Sequence, residues 1–103
     1  MVKVPNGYEQ LHRILMEALE QSACGKGKER HADDSAAWDD QPILEIQRRT
    51  KSNAFAQGQY IKKLTEHLRL GPDAGKRELL GAIVYAAAAI RYLEETPWPK
   101  SSR

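Results

Sequence analysis

The residues of this 103-residue chain whose types and spacing best suit chemistry lie in one short run, GKGKERH at positions 25–31. Lys26, Lys28, Arg30 and His31 stand there with no apolar neighbour, between Gly25 and Gly27 on one side and an acidic stretch on the other. Glycine lets a backbone approach a ligand closely, and the lysine ammonium is a compact donor for phosphate. A nucleotide P-loop is excluded. That motif ends in Gly-Lys-Ser/Thr and joins a strand to a helix, whereas here Lys28 and Glu29 follow Gly27 and a helical pattern precedes. Two readings of the run remain: a phosphate-contacting turn, or a solvated basic cap that complements a helix dipole. Tyr8, at the other end of the preceding helical pattern, is similarly double. Its phase with Leu11, Leu15 and Ala18 suits a core edge, and its ring also suits stacking on a base, worth about 1–3 kcal/mol per base.

Catalytic sets are harder to assemble. A magnesium-dependent nucleotide pyrophosphohydrolase of the all-α type needs clustered helical carboxylates. Glu9, Glu17 and Glu20 in the first helix and Glu94 and Glu95 near the end do not reproduce that pattern. Asp33, Asp34, Asp39 and Asp40 fall in a loop, where capping and solvation account for them. His12, His31 and His67 lack metal-ligand spacing, and Cys24 is the single cysteine, so a zinc site is disfavoured. Neither a cofactor nor an enzymatic activity is expected. The remaining cations, Arg48, Arg49, Lys51, Lys62, Lys63, Arg69, Lys76, Arg77 and Arg91, read mostly as solvated helix faces paired with Glu45, Glu66 and Glu78. Arg69 stands apart, beside the chain break at Gly71, placed to point across an interface.

Composition narrows the class. Sixteen basic residues against fourteen acidic ones leave a formal charge of only +2, too small an excess for a domain that grips long nucleic acid. A small anion remains open as a partner. The apolar fraction of 41% and charged fraction of 29% are those of an ordinary globular domain. One cysteine permits no internal disulfide and suits a reducing compartment. The opening MVKVPNGYEQ lacks the apolar core of a secretion signal and no run is long enough to span a bilayer, so a cytoplasmic protein with no membrane partner is expected.

These residues are positioned by a single all-α domain over 1–103, of about three helices, with 1–6 and 97–103 as frayed termini. Asn6 and Glu9 form a capping-box-like pair, and Leu11, Ile14, Leu15, Ala18 and Leu19 recur at helical spacing to about Ala23, where Gly25 supplies a stop. Residues 25–41 form a long polar loop. A second helical segment starts at an Asp39 or Asp40 cap with Pro42 near the first helical position, bends or splits at Gly58, and ends at Leu70-Gly71-Pro72. The third runs from about Asp73 to just before Pro97. Its stretch LLGAIVYAAAAI, residues 79–90, has no charge in twelve residues, which makes it too short for a bilayer and too apolar for a surface helix. Two other helical segments cannot cover it fully, so a homo-oligomer with this helix in or beside the interface is expected.

The ordered set YEQLHRILMEAL, GKGKERH, DDQPILEIQRR, GQYIKKLTEHLRL and RELLGAIVYAAAAIRYLEE resembles the anti-CBASS cyclic-oligonucleotide sponge family of small phage proteins, over residues 7–95. The resemblance implies a compact helical protomer in a homohexamer that binds cyclic dinucleotides, and in some members cyclic trinucleotides at separate sites, without cleaving them. It would deprive a host antiphage effector of its signal. Tyr8 matches the family's base-stacking tyrosine and Lys26 its phosphate-contacting lysine. Because the first helix is longer here by about the residues QSAC, Lys28 competes for that role, with Arg30 nearby. Arg69 is the counterpart of the family's trinucleotide-site arginine. Against this stand two other classes: the pyrophosphohydrolase above, and a protein-interaction module that inhibits a host factor through the basic face of the second segment. A separate constraint is geometric. Eighteen residues separate Tyr8 from Lys26, so a helix between them holds them roughly 25 Å apart, and one small ligand meets both only if different protomers supply them.

Overall fold

The computed structural model describes residues 3–24 and 37–96, which form four α-helices and two 3-10 turns and contain no strand. The helices are α1 (Glu9–Cys24), α2 (Pro42–Thr50), α3 (Ala54–Glu66) and α4 (Pro72–Glu95), with the turns at Trp38–Asp40 and His67–Arg69. Lys26, Lys28 and Arg30 lie outside the described residues, as does the 97–103 tail.

Helix starts follow backbone accounting closely. The Tyr8 carbonyl accepts from the His12 N–H at 3.0 Å, which makes Tyr8 the N-cap of α1 in place of the expected Asn6. Glu9 does reach back, accepting from the Gly7 N–H at 3.2 Å, and Gly7 takes a positive φ of 89° that suits its lack of a side chain. At α2, Pro42 occupies the first helical turn as expected, but Gln41 is the cap and neither Asp39 nor Asp40 serves.

The expected break at Gly58 is displaced. The second segment divides at Lys51, which adopts the left-handed conformation (φ 55°, ψ 41°), while the Ser52 N–H donates to the Gln47 carbonyl at 3.1 Å in the manner of a helix-ending Schellman turn. Asn53 then caps α3, and just ahead of it the Ser52 Oγ accepts from the Ala54 N–H at 3.0 Å. Three helical segments thereby become four. Gly58 lies inside α3, exposed, with nothing within 4 Å of where a Cβ would stand. Gly58→Ala should accordingly raise stability by about 0.5–1 kcal/mol in urea denaturation; a glycine needed for a bend would give a loss.

The long helix α4 is the element on which α1, α2 and α3 all pack. Leu44, Ala56 and Ala88 are fully enclosed with Ile43 and Tyr85 around them, and Trp38 and Phe55 close the cluster from its edge. Phe55 meets Tyr85 edge-on, ring centres 6.0 Å apart. Gly81 leaves a notch filled by the Lys63 stem, whose carbons lie 3.1 Å from the site of a Cβ there; its ammonium sits 5.8 Å from the Tyr85 ring centre and 3.8 Å from Glu78. Gln47 is the one fully buried polar side chain among the described residues, donating to the Ala88 carbonyl at 3.0 Å and to the Ile43 carbonyl at 3.2 Å. Coverage of α4 is partial. Leu80, Ala82, Tyr85, Ala88 and Tyr92 are buried, whereas Ile90 and Leu93 face outward. Among the described residues no helix is long and apolar enough to cross a membrane.

Candidate functional site

The rotation of α1 about its axis decides which of its residues are free to act. Two contacts set that rotation: the Gln21 amide donates to the Arg77 carbonyl at 3.0 Å, and Lys76 pairs with Glu17 at 2.5 Å. Lys76 holds the Glu17 carboxyl below the usual carboxylate range, with Arg13 adding to the effect. With residues 17 and 21 turned toward α4, only Ala18 of the apolar set is buried, and Ile14 is half-buried. Leu11, Leu15, Met16 and Leu19 stay about half exposed, and Tyr8, at 56%, heads the same stripe. The core-edge reading of Tyr8 therefore fails in the single chain, and its ring is open for a planar partner. Leucines that periodicity assigns to a core form instead an apolar face directed away from it.

Arg69 lies in the His67–Arg69 turn, exposed, and pairs with Glu66 at 2.5 Å. Beside it an open cleft of about 360 Å³ is lined by His67, Leu70, Pro72, Gly75, Lys76 and Leu79. Its floor is the bare backbone of Gly75, where a Cβ would stand 3.3 Å from the His67 carbonyl oxygen. The ring of His67 is turned to its own helix, Nδ1 donating to the Leu64 carbonyl at 2.5 Å.

At the opposite end of α4 the cations are consumed by structure. Arg48 donates to Glu95 through two bonds of 2.9 and 2.7 Å and to the Asp39 carbonyl at 2.5 Å. Arg91 grips the Asp39 carboxylate at 3.1–3.4 Å. Glu95 raises the Arg48 pKa and is itself held below the ordinary carboxylate range by that guanidinium; the Arg91 pKa is raised by its hydrogen bonds to Asp39. This network fastens the turn that carries Trp38 to α4. The pairing of Arg49 with Glu45 and of Arg69 with Glu66 follows the expected solvated faces, whereas Lys63, paired with Glu78, is mostly buried and Arg48 is drawn into the network above. Cys24 and His12 are exposed. Among the described residues no three His, Cys, Asp or Glu side chains converge so as to hold a metal ion.

Of the site residues expected from sequence, Tyr8 and Arg69 are described, and they stand on different elements at separate places. Cys24 is sixteen residues from Tyr8 along one continuous helix, so the two ends of α1 are about 24 Å apart. Two features were not legible beforehand: the outward stripe on α1 and the cleft over Gly75. The small residues near Gly71-Pro72 signal the cleft only once the His67 turn is known to lie across them. No protein-family model, curated protein or solved structure matches this chain.

Proposed function

We propose that this protein is a non-enzymatic sponge that binds small cyclic oligonucleotides between copies of itself, bases stacking on Tyr8 and phosphates meeting Lys26, Lys28 and Arg30. What carries this reading is the exposed tyrosine at the head of an exposed apolar helix face. An aromatic ring on such a face serves either a flat ligand or a second protein surface, and the proposed site uses both. If two α1 helices pair antiparallel about Leu15, Leu11 of each meets Leu19 of the other and Tyr8 comes opposite Ser22 of the second copy. That places the ring near the residues that precede Gly25 and Lys26 in sequence, which one chain cannot do across 24 Å.

Magnitudes support a real but modest association. Covering roughly half a side chain on each of Leu11, Leu15, Met16 and Leu19 is worth about 3–6 kcal/mol per copy. Two copies then offset the 4–15 kcal/mol or so of association entropy, with little to spare. A ligand bridging both copies would add to the balance, and sequestration then follows by mass action. Assembly as a homohexamer, binding of a trinucleotide near Arg69, a phage origin and a role in the host cytoplasm belong to the same proposal through the resemblance.

The test is a thermal-shift panel of cyclic di- and trinucleotides, followed by chromatography of the ligand recovered after denaturation. A rise in melting temperature with ligand returned intact is expected; a cleaved ligand would favour a hydrolase, and no shift would favour a protein-interaction module. Tyr8→Ala and Lys26→Ala should each remove the dinucleotide shift while the particle mass by light scattering is retained. If either variant binds like the parent, its residue is not in the site.

A further inference from the structure

The free side of α1 carries one polar residue on its centre line. Tyr8, His12, Leu15 and Leu19 follow one another at spacings of four, three and four residues, with Leu11 and Met16 on the flanks. His12 is the polar member between the tyrosine and the leucines, and it is exposed. Its backbone N–H donates to the Tyr8 carbonyl at 3.0 Å, so the two side chains stand one helical turn apart, roughly 5–6 Å between Cβ atoms. Side chains on a helix lean toward its N-terminus, which inclines the imidazole toward the turn that carries Tyr8. The imidazole has no hydrogen-bond or ion-pair partner among the described residues. Its charged neighbours on α1 are engaged elsewhere: Glu9 accepts from the Gly7 N–H, and Arg13 is held by Gln10 and Glu17.

Resting on the reading of α1 as a ligand face, we infer that His12 is a second contact to the same ligand, its imidazolium donating to a phosphate of the nucleotide whose base stacks on Tyr8. A stacked base carries its sugar and phosphate past the edge of the tyrosine ring, and His12 is the side-chain donor that α1 presents next to that edge. A face made only to be covered by leucines gains nothing from a histidine at its centre, where an unpaired ring nitrogen loses water without compensation. A phosphate supplies the missing acceptor, and the bond is charge-assisted when the ring is protonated. The sign with pH follows. The imidazolium carries the charge and donates from both nitrogens, so binding tightens as pH falls through the ordinary histidine range. Apolar covering alone gives the opposite sign, because burial disfavours the charged ring. In the antiparallel pairing about Leu15, position 12 lies across from Ala18 of the second copy, whose nearest charged groups are Glu17, already joined to Lys76, and Glu20. The other ionisable groups of the proposed site are Lys26, Lys28 and Arg30, with His31 next to them in sequence.

Titration calorimetry tests this with the cyclic dinucleotide that gives the largest thermal shift, at about pH 5.5 and about pH 7.5, on either side of the ordinary histidine range. The full chain should bind roughly fivefold more tightly at the lower pH. His12→Gln should bind more weakly there and equally at both values, while His31→Gln keeps the response. His12→Lys, a permanent cation, should bind at both values about as the parent does at acid pH. Equal affinity of the parent at both values, or a pH response that survives in His12→Gln, overturns the inference. Light scattering without ligand should give the same particle mass at both values; a mass that changes with pH and stops changing in His12→Gln places the ring against Glu20 of the second copy and overturns it too. The two readings fail separately. A parent that binds no cyclic dinucleotide brings down the sponge and this contact together, whereas binding that needs Tyr8 and ignores His12 brings down this contact alone.

Discussion

Gln47→Glu is expected to destabilise the fold by about 3–5 kcal/mol at neutral pH, while Gln47→Met changes it by no more than about 1 kcal/mol. The amide nitrogen of Gln47 donates to the Ala88 and Ile43 carbonyls inside a fully enclosed site, and its Oε1 has no partner. A carboxylate there directs negative charge at two carbonyl oxygens with no water to relieve it. Methionine removes the orphan oxygen together with the donor, and both carbonyls lie within helices, where backbone N–H groups serve them. The pH dependence has a definite sign. Burial raises the pKa of the introduced acid above its unfolded value, so the loss is smallest below the unfolded carboxyl range and grows as pH rises through the folded value. Urea denaturation of both variants at acid and neutral pH checks this. A Gln47→Glu protein as stable at neutral as at acid pH would mean that the site is open to solvent.

Leu44→Ala should lower stability by about 2–5 kcal/mol, which for a domain of this size lowers the melting temperature by about 10 °C or more. Leu44 has no exposed surface and sits among Ile43, Ala56, Tyr85 and Ala88. Neighbours already reduced to alanine cannot collapse far into the space, which puts the loss toward the upper part of that range. Leu19→Ala provides the contrast, because Leu19 is about half exposed and the same truncation there should cost the single chain no more than about 0.5 kcal/mol. Its effect should fall on assembly. Scanning calorimetry at low protein concentration separates the two; comparable losses at both positions would mean that the α1 stripe is covered within one chain.

That contrast marks how far the sequence could be read. Helical period identified α1 and α4, and Leu70-Gly71-Pro72 with Pro42 marked two boundaries, because proline and glycine act locally and leave a local trace. Period does not say which side of a helix finds a partner. On α1 the side chosen carries Ile14 and Ala18 because Gln21 and Glu17 have partners on α4, and contacts between distant segments leave no mark in a window of eighteen residues. The break at Lys51 was hidden for another reason: a lysine holds the left-handed turn that glycine usually takes, and Gly58 drew attention to the wrong place. Gln47 shares a helical face with Ile43 and Leu44, but beside Arg48 and Arg49 its polarity pointed outward. For the ligand site, Tyr8 was legible as a residue type, and only its exposure distinguishes a stacking ring from a core edge.

The slender fastening of α1 bears on how the chain moves. The helix is held by one buried alanine, a half-buried isoleucine and two polar links to residues 76 and 77, while α2, α3 and α4 share the enclosed cluster. Local opening follows the weakest attachment, so in a solitary copy the backbone amides of α1 exchange with solvent ahead of those of the other helices. Whatever covers the free side of α1 also slows that exchange, and occupancy of this face is thereby written into the protection of its amides.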